Sequence, residues 1–189
     1  MKNIVILASG SGTNAENIIK NFGQGDDLNV VLLMSNRKDA YALKRAEKLK
    51  VPVRVFNRDD LYESGIVLKT LKEFSADLIV LAGFLWLIPT DIIKAFPNRI
   101  LNIHPALLPA YGGKGMYGSR VHEAVIANRE RKSGISIHIV NEVYDAGNII
   151  FQAECPVMED DTPDSLAARI HELEYRHYPE VIRDYAAGL

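Results

Sequence analysis

The sequence predicts one α/β domain over residues 1–189: an open, mostly parallel sheet with helices on both faces, extended by a C-terminal β-hairpin and followed by a long C-terminal helix. Three observations carry this expectation. Apolar runs of strand length alternate with stretches of helical length and pattern. The runs are continuous in Ile, Val and Leu, as in strands covered on both faces. A glycine-rich segment, A-S-G-S-G-T-N-A-E at residues 8–16, joins the first run to the first helix.

In chain order, residues 4–7, 30–34, 51–55 and 78–82 read as strands, and residues 15–21, 39–49 and 61–74 as the helices between them. This βαβα order implies right-handed crossovers in a parallel sheet. Residues 91–96 read as a short helix and 100–103 as a fifth strand. Residues 134–140 and 148–155 flank the turn-rich N-E-V-Y-D-A-G and form the hairpin. Thr162 with Pro163 at a first helical position starts the last helix, whose Leu166, Ile170, Leu173 and His177 share one face; Pro179 is expected to kink or break it. There is no internal repeat, low-complexity segment or linker, so the reading is one domain of Rossmann-like type.

With 48% hydrophobic and 24% charged residues, the chain has the composition of an ordinary globular protein with one sizeable core. Its formal net charge is −2 and its Lys and Arg are scattered. No basic stripe therefore invites nucleic acid or an anionic membrane, and small-molecule partners are expected. The lone Cys155 excludes an internal disulfide framework and a multi-cysteine metal site, and its apolar-strand setting implies a buried, inert thiol. That suits a reducing cytoplasm. M-K-N-I-V-I-L leads directly into the glycine loop and reads as a first strand, not a signal peptide, and no run approaches membrane-spanning length. The sequence leaves monomer and dimer both open.

In the glycine loop, Gly10 and Gly12 permit tight backbone geometry, and Thr13 and Asn14 are placed to cap the following helix. Free backbone N–H groups and the helix dipole there favour an anion, naturally a phosphate. The spacing also satisfies G-x-G-x-x-A, which keeps a dinucleotide-binding oxidoreductase as the alternative. NAD would want an acidic residue after the second strand. This chain has Ser35, Asn36 and Arg37 there, and Arg37 suits NADP instead.

L-N-I-H-P-A-L-L-P-A-Y-G-G, residues 101–113, ends an apolar run with an amide and an imidazole that a core strand would not choose, because burying them unpaired is costly. In a doubly wound sheet the carboxyl ends of the strands line one crevice. That rule brings the 10–14 loop, Gly83–Phe84, Asn102 with His104, and the connection carrying Asp145 to one rim. A donor for an oxyanion, a group titrating near neutrality and a carboxylate to orient it suit acyl-group transfer. No Ser or Cys nucleophile accompanies them, so direct attack by an acceptor amine fits better than a covalent acyl-enzyme. A non-enzymatic nucleotide-sensing module would leave these three residues without a role.

I-L-A-S-G-S-G-T-N-A-E-N-I-I, L-I-V-L-A-G-F-L-W-L-I-P, the 101–115 block and S-G-I-S-I-H-I-V-N-E-V-Y-D-A-G-N-I-I together resemble the folate-dependent formyltransferases, and among them the phosphoribosylglycinamide formyltransferase family. N-I-H-P-x-L-L-P joined to a later D-x-G is far more specific than the glycine loop. The resemblance implies formyl transfer from 10-formyltetrahydrofolate, a co-substrate, to the amine of glycinamide ribonucleotide in purine synthesis, with no metal. It implies that Asn102, His104 and Asp145 are catalytic and that Gly12, Thr13 and Asn14 hold the ribonucleotide phosphate. Glu174 then contacts the ribose, and Arg58 contacts substrate on the same side. Leu85, Trp86 and Ile88, with the backbone of Asn141, Glu142, Val143 and Tyr144, form the wall around the folate pterin. It also implies a cis peptide at Leu108–Pro109, and a His104 charged by its Asp145 partner, the carboxylate raising the imidazole pKa above about 6.5.

Two departures stand out. Trp86 occupies a place where many members carry Arg or Met, and residues 111–125 are unusually rich in glycine. His122 reads as a capping or solvent-facing helix residue, and His138, between Ile137 and Ile139, as a residue behind the site. Methionyl-tRNA formyltransferases and formyltetrahydrofolate hydrolases share the His-Pro region or the trio. The former add a C-terminal RNA-binding domain and the latter an N-terminal regulatory one, for which this chain has no room.

Overall fold

The computed structural model describes residues 1–22 and 27–189. Its seven-stranded sheet comprises β1 (Lys2–Leu7), β2 (Leu28–Ser35), β3 (Val53–Val55), β4 (Leu78–Leu81), β5 (Ile100–His104), β6 (Lys132–Ile139) and β7 (Ile149–Pro156), in the spatial order β3-β2-β1-β4-β5-β6-β7. The first five pair in parallel; β6 runs antiparallel to β5, and β7 antiparallel to β6. The chain steps outward from β1 to β3, returns to β4 on the other side of β1, and steps outward again. The β1/β4 junction is therefore a topological switch point, where such sheets bind ligands at the strands' carboxyl ends.

Alternate residues of the central strands feed two apolar layers. Ile4, Ile6, Leu33, Val80 and Leu101 pack beneath α1 (Thr13–Asn21), α2 (Tyr41–Lys48) and α7 (Pro163–Ala187), while Val5, Leu7, Leu32 and Ile79 pack beneath α4 (Ile66–Glu73) and α5 (Thr90–Ala95). Burial on both faces explains why these strands lack polar alternation. Among the described residues no helix is long and apolar enough to cross a membrane.

Three expectations are corrected. The helix anticipated over residues 61–74 is two helices, α3 (Arg58–Tyr62) and α4, because Gly65 adopts the left-handed conformation at φ 69° and restarts the chain. The strand anticipated from residue 51 begins at Val53, on the sheet's edge. Pro179 does not end the last helix, which continues to Ala187. Proline cannot donate to the carbonyl four residues earlier, Tyr175 O; Asn17 Nδ2 of α1 donates to that oxygen instead at 2.8 Å, and buried Ile182 and Ala186 carry the helix onward. The Leu108–Pro109 peptide is cis, as expected.

Candidate active site

Loop 8–12 leaves β1 at the switch point. Gly12 closes it at φ 73°, where a Cβ would lie 2.4 Å from Ala42 Cα, so only glycine lets α1 begin against α2. Gly10 O accepts from Ala42 N at 3.1 Å, and Arg45 Nε donates to Ser11 O at 3.0 Å. Contrary to expectation, neither Thr13 nor Asn14 caps α1. Gly12 is the N-cap residue and supplies no side chain, which leaves the first-turn N–H groups without a side-chain cap where Gly12, Thr13 and Asn14 line the cleft.

Ser9 ties this loop to the opposite wall. Its backbone N donates to Gly83 O at 3.1 Å, its hydroxyl accepts from Leu85 N at 3.0 Å, and it donates to Asn36 Oδ1 at 2.7 Å. Asn36 is thus engaged, and the Arg37 guanidinium is paired with Asp39 at 2.9 Å.

Across the cleft, Asn102 and His104 lie two residues apart on β5 and share a side. Antiparallel pairing sets Asn102 opposite His138 on β6, and Asn102 Nδ2 donates to His138 Nε2 at 3.1 Å. The β6–β7 connection returns Asp145 to the same point, with a left-handed φ of 53°. Its Oδ2 accepts from Gly113 N at 3.0 Å and lies 3.5 Å from His104 Nδ1; its Oδ1 lies 3.4 Å from Asn102 Nδ2 and 3.6 Å from His138 Nε2. The other nitrogen of His104, Nε2, donates to Tyr111 O at 2.7 Å. The trio inferred from sequence is therefore assembled, with His138, Gly113 N–H and Tyr111 O as further members.

Electrostatics correct one point. Burial pulls the His104 imidazole below its ordinary value, a pull that the Asp145 charge and Tyr111 O oppose without reversing. Burial pushes Asp145 up, but the neighbouring His138 and His104 rings and Gly113 N–H prevail and hold it below its ordinary value. The two shifts favour a carboxylate beside an imidazole whose charged form burial resists. Both ring nitrogens of His104 point at acceptors, so the ring is disposed to take up a proton when negative charge appears beside it.

The remaining candidates distribute around the same cleft, which encloses about 660 Å³. Gly12, Thr13, Asn14, Leu85, Trp86, Ile88, Asn141, Val143, Tyr144 and Glu174 line it. Glu142 does not, and neither does Arg58. The Arg58 guanidinium lies over the Tyr62 and Trp86 rings, 5.1 and 5.6 Å from their centroids, and so braces the wall that Trp86 lines. Phe56 packs edge-on to Trp86 at 6.3 Å, which seats the indole in this wall.

Glu174, buried on α7, accepts from Asn14 Nδ2 at 2.8 Å and from His171 Nδ1 at 2.8 Å. That hydrogen bond raises the His171 pKa above 6.5. His122 also overturns its expectation. It is buried on α6 (Ser119–Ala127) beside Val121 and Val125, faces the cleft and caps nothing. The apolar Val121–Val125 spacing was the available sign that this stretch turns inward. Cys155 is buried, and burial pushes its thiol pKa up, as an inert cysteine requires. Among the described residues no group of three or more His, Cys, Asp or Glu is arranged to hold a metal ion.

Comparison with known proteins places these features in context. A family model described as formyl transferase matches residues 2–182. The phosphoribosylglycinamide formyltransferase of Haemophilus influenzae is 36% identical over 193 residues, covering all of this chain and 89% of that protein. The chloroplastic phosphoribosylglycinamide formyltransferase of Arabidopsis thaliana is 43% identical over 188 residues, which cover 96% of this chain; the chain spans only 64% of that relative's length. Among solved structures, glycinamide ribonucleotide transformylase 1 from Symbiobacterium toebii superposes with a TM-score of 0.91 at 37% identity, covering 100% of this chain and 89% of that one. The Coxiella burnetii phosphoribosylglycinamide formyltransferase, solved in complex with CHES, gives 0.88 at 37% identity, covering 99% and 88%.

Proposed function

This chain belongs to the formyl transferase family, and we propose that within it residues 1–189 form one domain that transfers a formyl group from 10-formyltetrahydrofolate to the amine of glycinamide ribonucleotide. The observation that carries this reading is the convergence of Asn102, His104, His138 and Asp145 in one cleft with the phosphate-type loop. The similarly named relatives support the choice of substrates. The free, buried Cys155 suits a reducing, cytoplasmic setting.

In this mechanism the N–H groups at Gly12, Thr13 and Asn14 hold the phosphate, and Glu174 accepts from the ribose. Leu85, Trp86, Ile88 and the backbone of 141–144 hold the pterin. The acceptor amine attacks the formyl carbon directly, forming the new C–N bond and a tetrahedral oxyanion. Asn102 turns its loosely engaged N–H, the one 3.4 Å from Asp145, towards that oxygen. His104 takes up the proton that the attacking nitrogen sheds and, beside Asp145, stabilises the same charge. Collapse breaks the bond to the folate nitrogen, which receives that proton back from His104 through water. No covalent acyl-enzyme and no metal enters the scheme.

The test is formyl transfer by purified protein given both substrates. A folate analogue should also raise the melting temperature, increasingly with concentration, whereas NADPH should not. NADPH oxidation, or stabilisation by NADPH alone, would replace this reading with the oxidoreductase one.

Asn14→Ala addresses the ribonucleotide side. It removes a donor to Glu174 and should raise KM for the ribonucleotide about tenfold or more, the equivalent of ~1.4 kcal/mol, with the folate KM nearly unmoved. An equal loss for both substrates would mark the loop as purely structural.

A further inference from the structure

The loop between β1 and α1 is fastened from behind by α2. Gly10 O accepts from Ala42 N at 3.1 Å and Ser11 O from Arg45 Nε at 3.0 Å, so two successive carbonyls face α2. A trans peptide sets each N–H opposite the carbonyl that precedes it. The N–H groups of Ser11 and Gly12 are therefore turned away from α2, and neither has a backbone acceptor among the described residues. Both residues line the cleft. Anchored carbonyls and unclaimed N–H groups just ahead of a helix make a cradle for an anion.

The two anchors differ in kind. The bond to Gly10 O is backbone and comes with the start of α2, whereas the bond to Ser11 O depends on one side chain. Arg45 holds that carbonyl through Nε while its Nη1 pairs with Glu16 of α1, and its guanidinium lies 4.9 Å from the Tyr41 ring centroid. A partly exposed ion pair contributes little and needs only a terminal nitrogen. The planar fork does more: with one side engaged by Glu16, it fixes the direction in which Ser11 O is held. Ser11 stands between two glycines, whose backbone freedom would otherwise let its peptide turn over and present a carbonyl to the anion.

We propose that Arg45 is a positioning residue for the acceptor's phosphate: by holding Ser11 O against α2 it aims the Gly12 N–H at the anion, without touching the substrate itself. This rests on the function proposed above.

The experiment compares wild type with Arg45→Met and Arg45→Lys. Methionine keeps the length and helix preference of the side chain and removes its donors; lysine keeps the charge opposite Glu16 and removes the fork. Arg45→Met should raise KM for glycinamide ribonucleotide about tenfold, by a larger factor than any fall in kcat, and leave the folate KM unmoved. Its calorimetric affinity for ribose 5-phosphate should fall by a similar factor. Arg45→Lys should regain the wild-type melting temperature yet stay severalfold short in both phosphate readouts. An unchanged ribonucleotide KM in Arg45→Met, or an equal rise in the folate KM, would overturn the inference. Full recovery of affinity in Arg45→Lys would also overturn it, because Arg45 would then be a plain countercharge. If the methionine variant does not fold, the lysine variant decides alone by the same criterion. Wild-type protein that transfers no formyl group refutes the proposed function; wild-type protein that transfers it, with ribose 5-phosphate affinity untouched in both variants, refutes only the role of Arg45.

Discussion

Asp145→Asn should lower turnover by at least ~100-fold, the scale of losing one electrostatic or acid–base contributor, while the protein stays folded and binds both substrates nearly normally. The amide keeps the shape of the side chain and can still accept from Gly113 N, whose 3.0 Å bond holds the connection in place. What disappears is the negative charge 3.5 Å from His104 Nδ1. Burial already disfavours the imidazolium, so without Asp145 nothing of comparable strength offsets it when the oxyanion forms. Adding His104→Asn should make matters little worse than the more damaging single change, because residues that act as a unit are non-additive. Steady-state kinetics with thermal denaturation as control decides the matter. Near-full turnover, or simple unfolding, would make Asp145 a structural carboxylate.

Gly147→Ala should be comparably severe by another route. A Cβ at this position would sit 1.6 Å from Ile139 O and 3.2 Å from His138 Nδ1, so the backbone itself must shift. That backbone carries Asp145 two residues earlier, and misplacing a catalytic group by about 1 Å costs on the order of 100-fold. The same crowding should cost roughly 1–3 kcal/mol of stability, as forced overpacking does. Turnover and urea unfolding should therefore both fall. Wild-type values in both would show that the β6–β7 connection tolerates displacement and that Asp145 needs no exact seat.

The strands and the clustering of Asn102, His104 and Asp145 are legible in the sequence because each obeys a local rule. Residues 4–7 and 78–82 are apolar on both faces, and Asn102 and His104 are polar residues two apart at a strand end, beneath the crevice of a switch point. What escaped depended on distant partners. Pro179 is tolerated only because Asn17, more than 150 residues away, occupies the Tyr175 carbonyl. The pairing of His104 with Asp145 could be anticipated, but the depth of burial that reverses the sign of its pKa shift could not. The resemblance gives Arg58 to the ribonucleotide side, and no local rule announces the stacking of its guanidinium on Tyr62 and Trp86. The inward turn of His122 is masked by a glycine-rich stretch, in which the helix begins only at Ser119.

The sheet changes from parallel to antiparallel pairing at β5, and this seam divides the labour of the molecule by chain segment. The glycine loop belongs to the parallel part, whereas Asp145 and the cleft-lining Asn141, Val143 and Tyr144 arrive on one short connection, residues 141–148. Under the function proposed above, variation along that connection would alter donor choice and reaction rate while the acceptor's anchorage is inherited unchanged. Such an arrangement gives evolution, or a mutagenesis library, a compact stretch on which new acyl-transfer chemistry can be tried without rebuilding the phosphate grip.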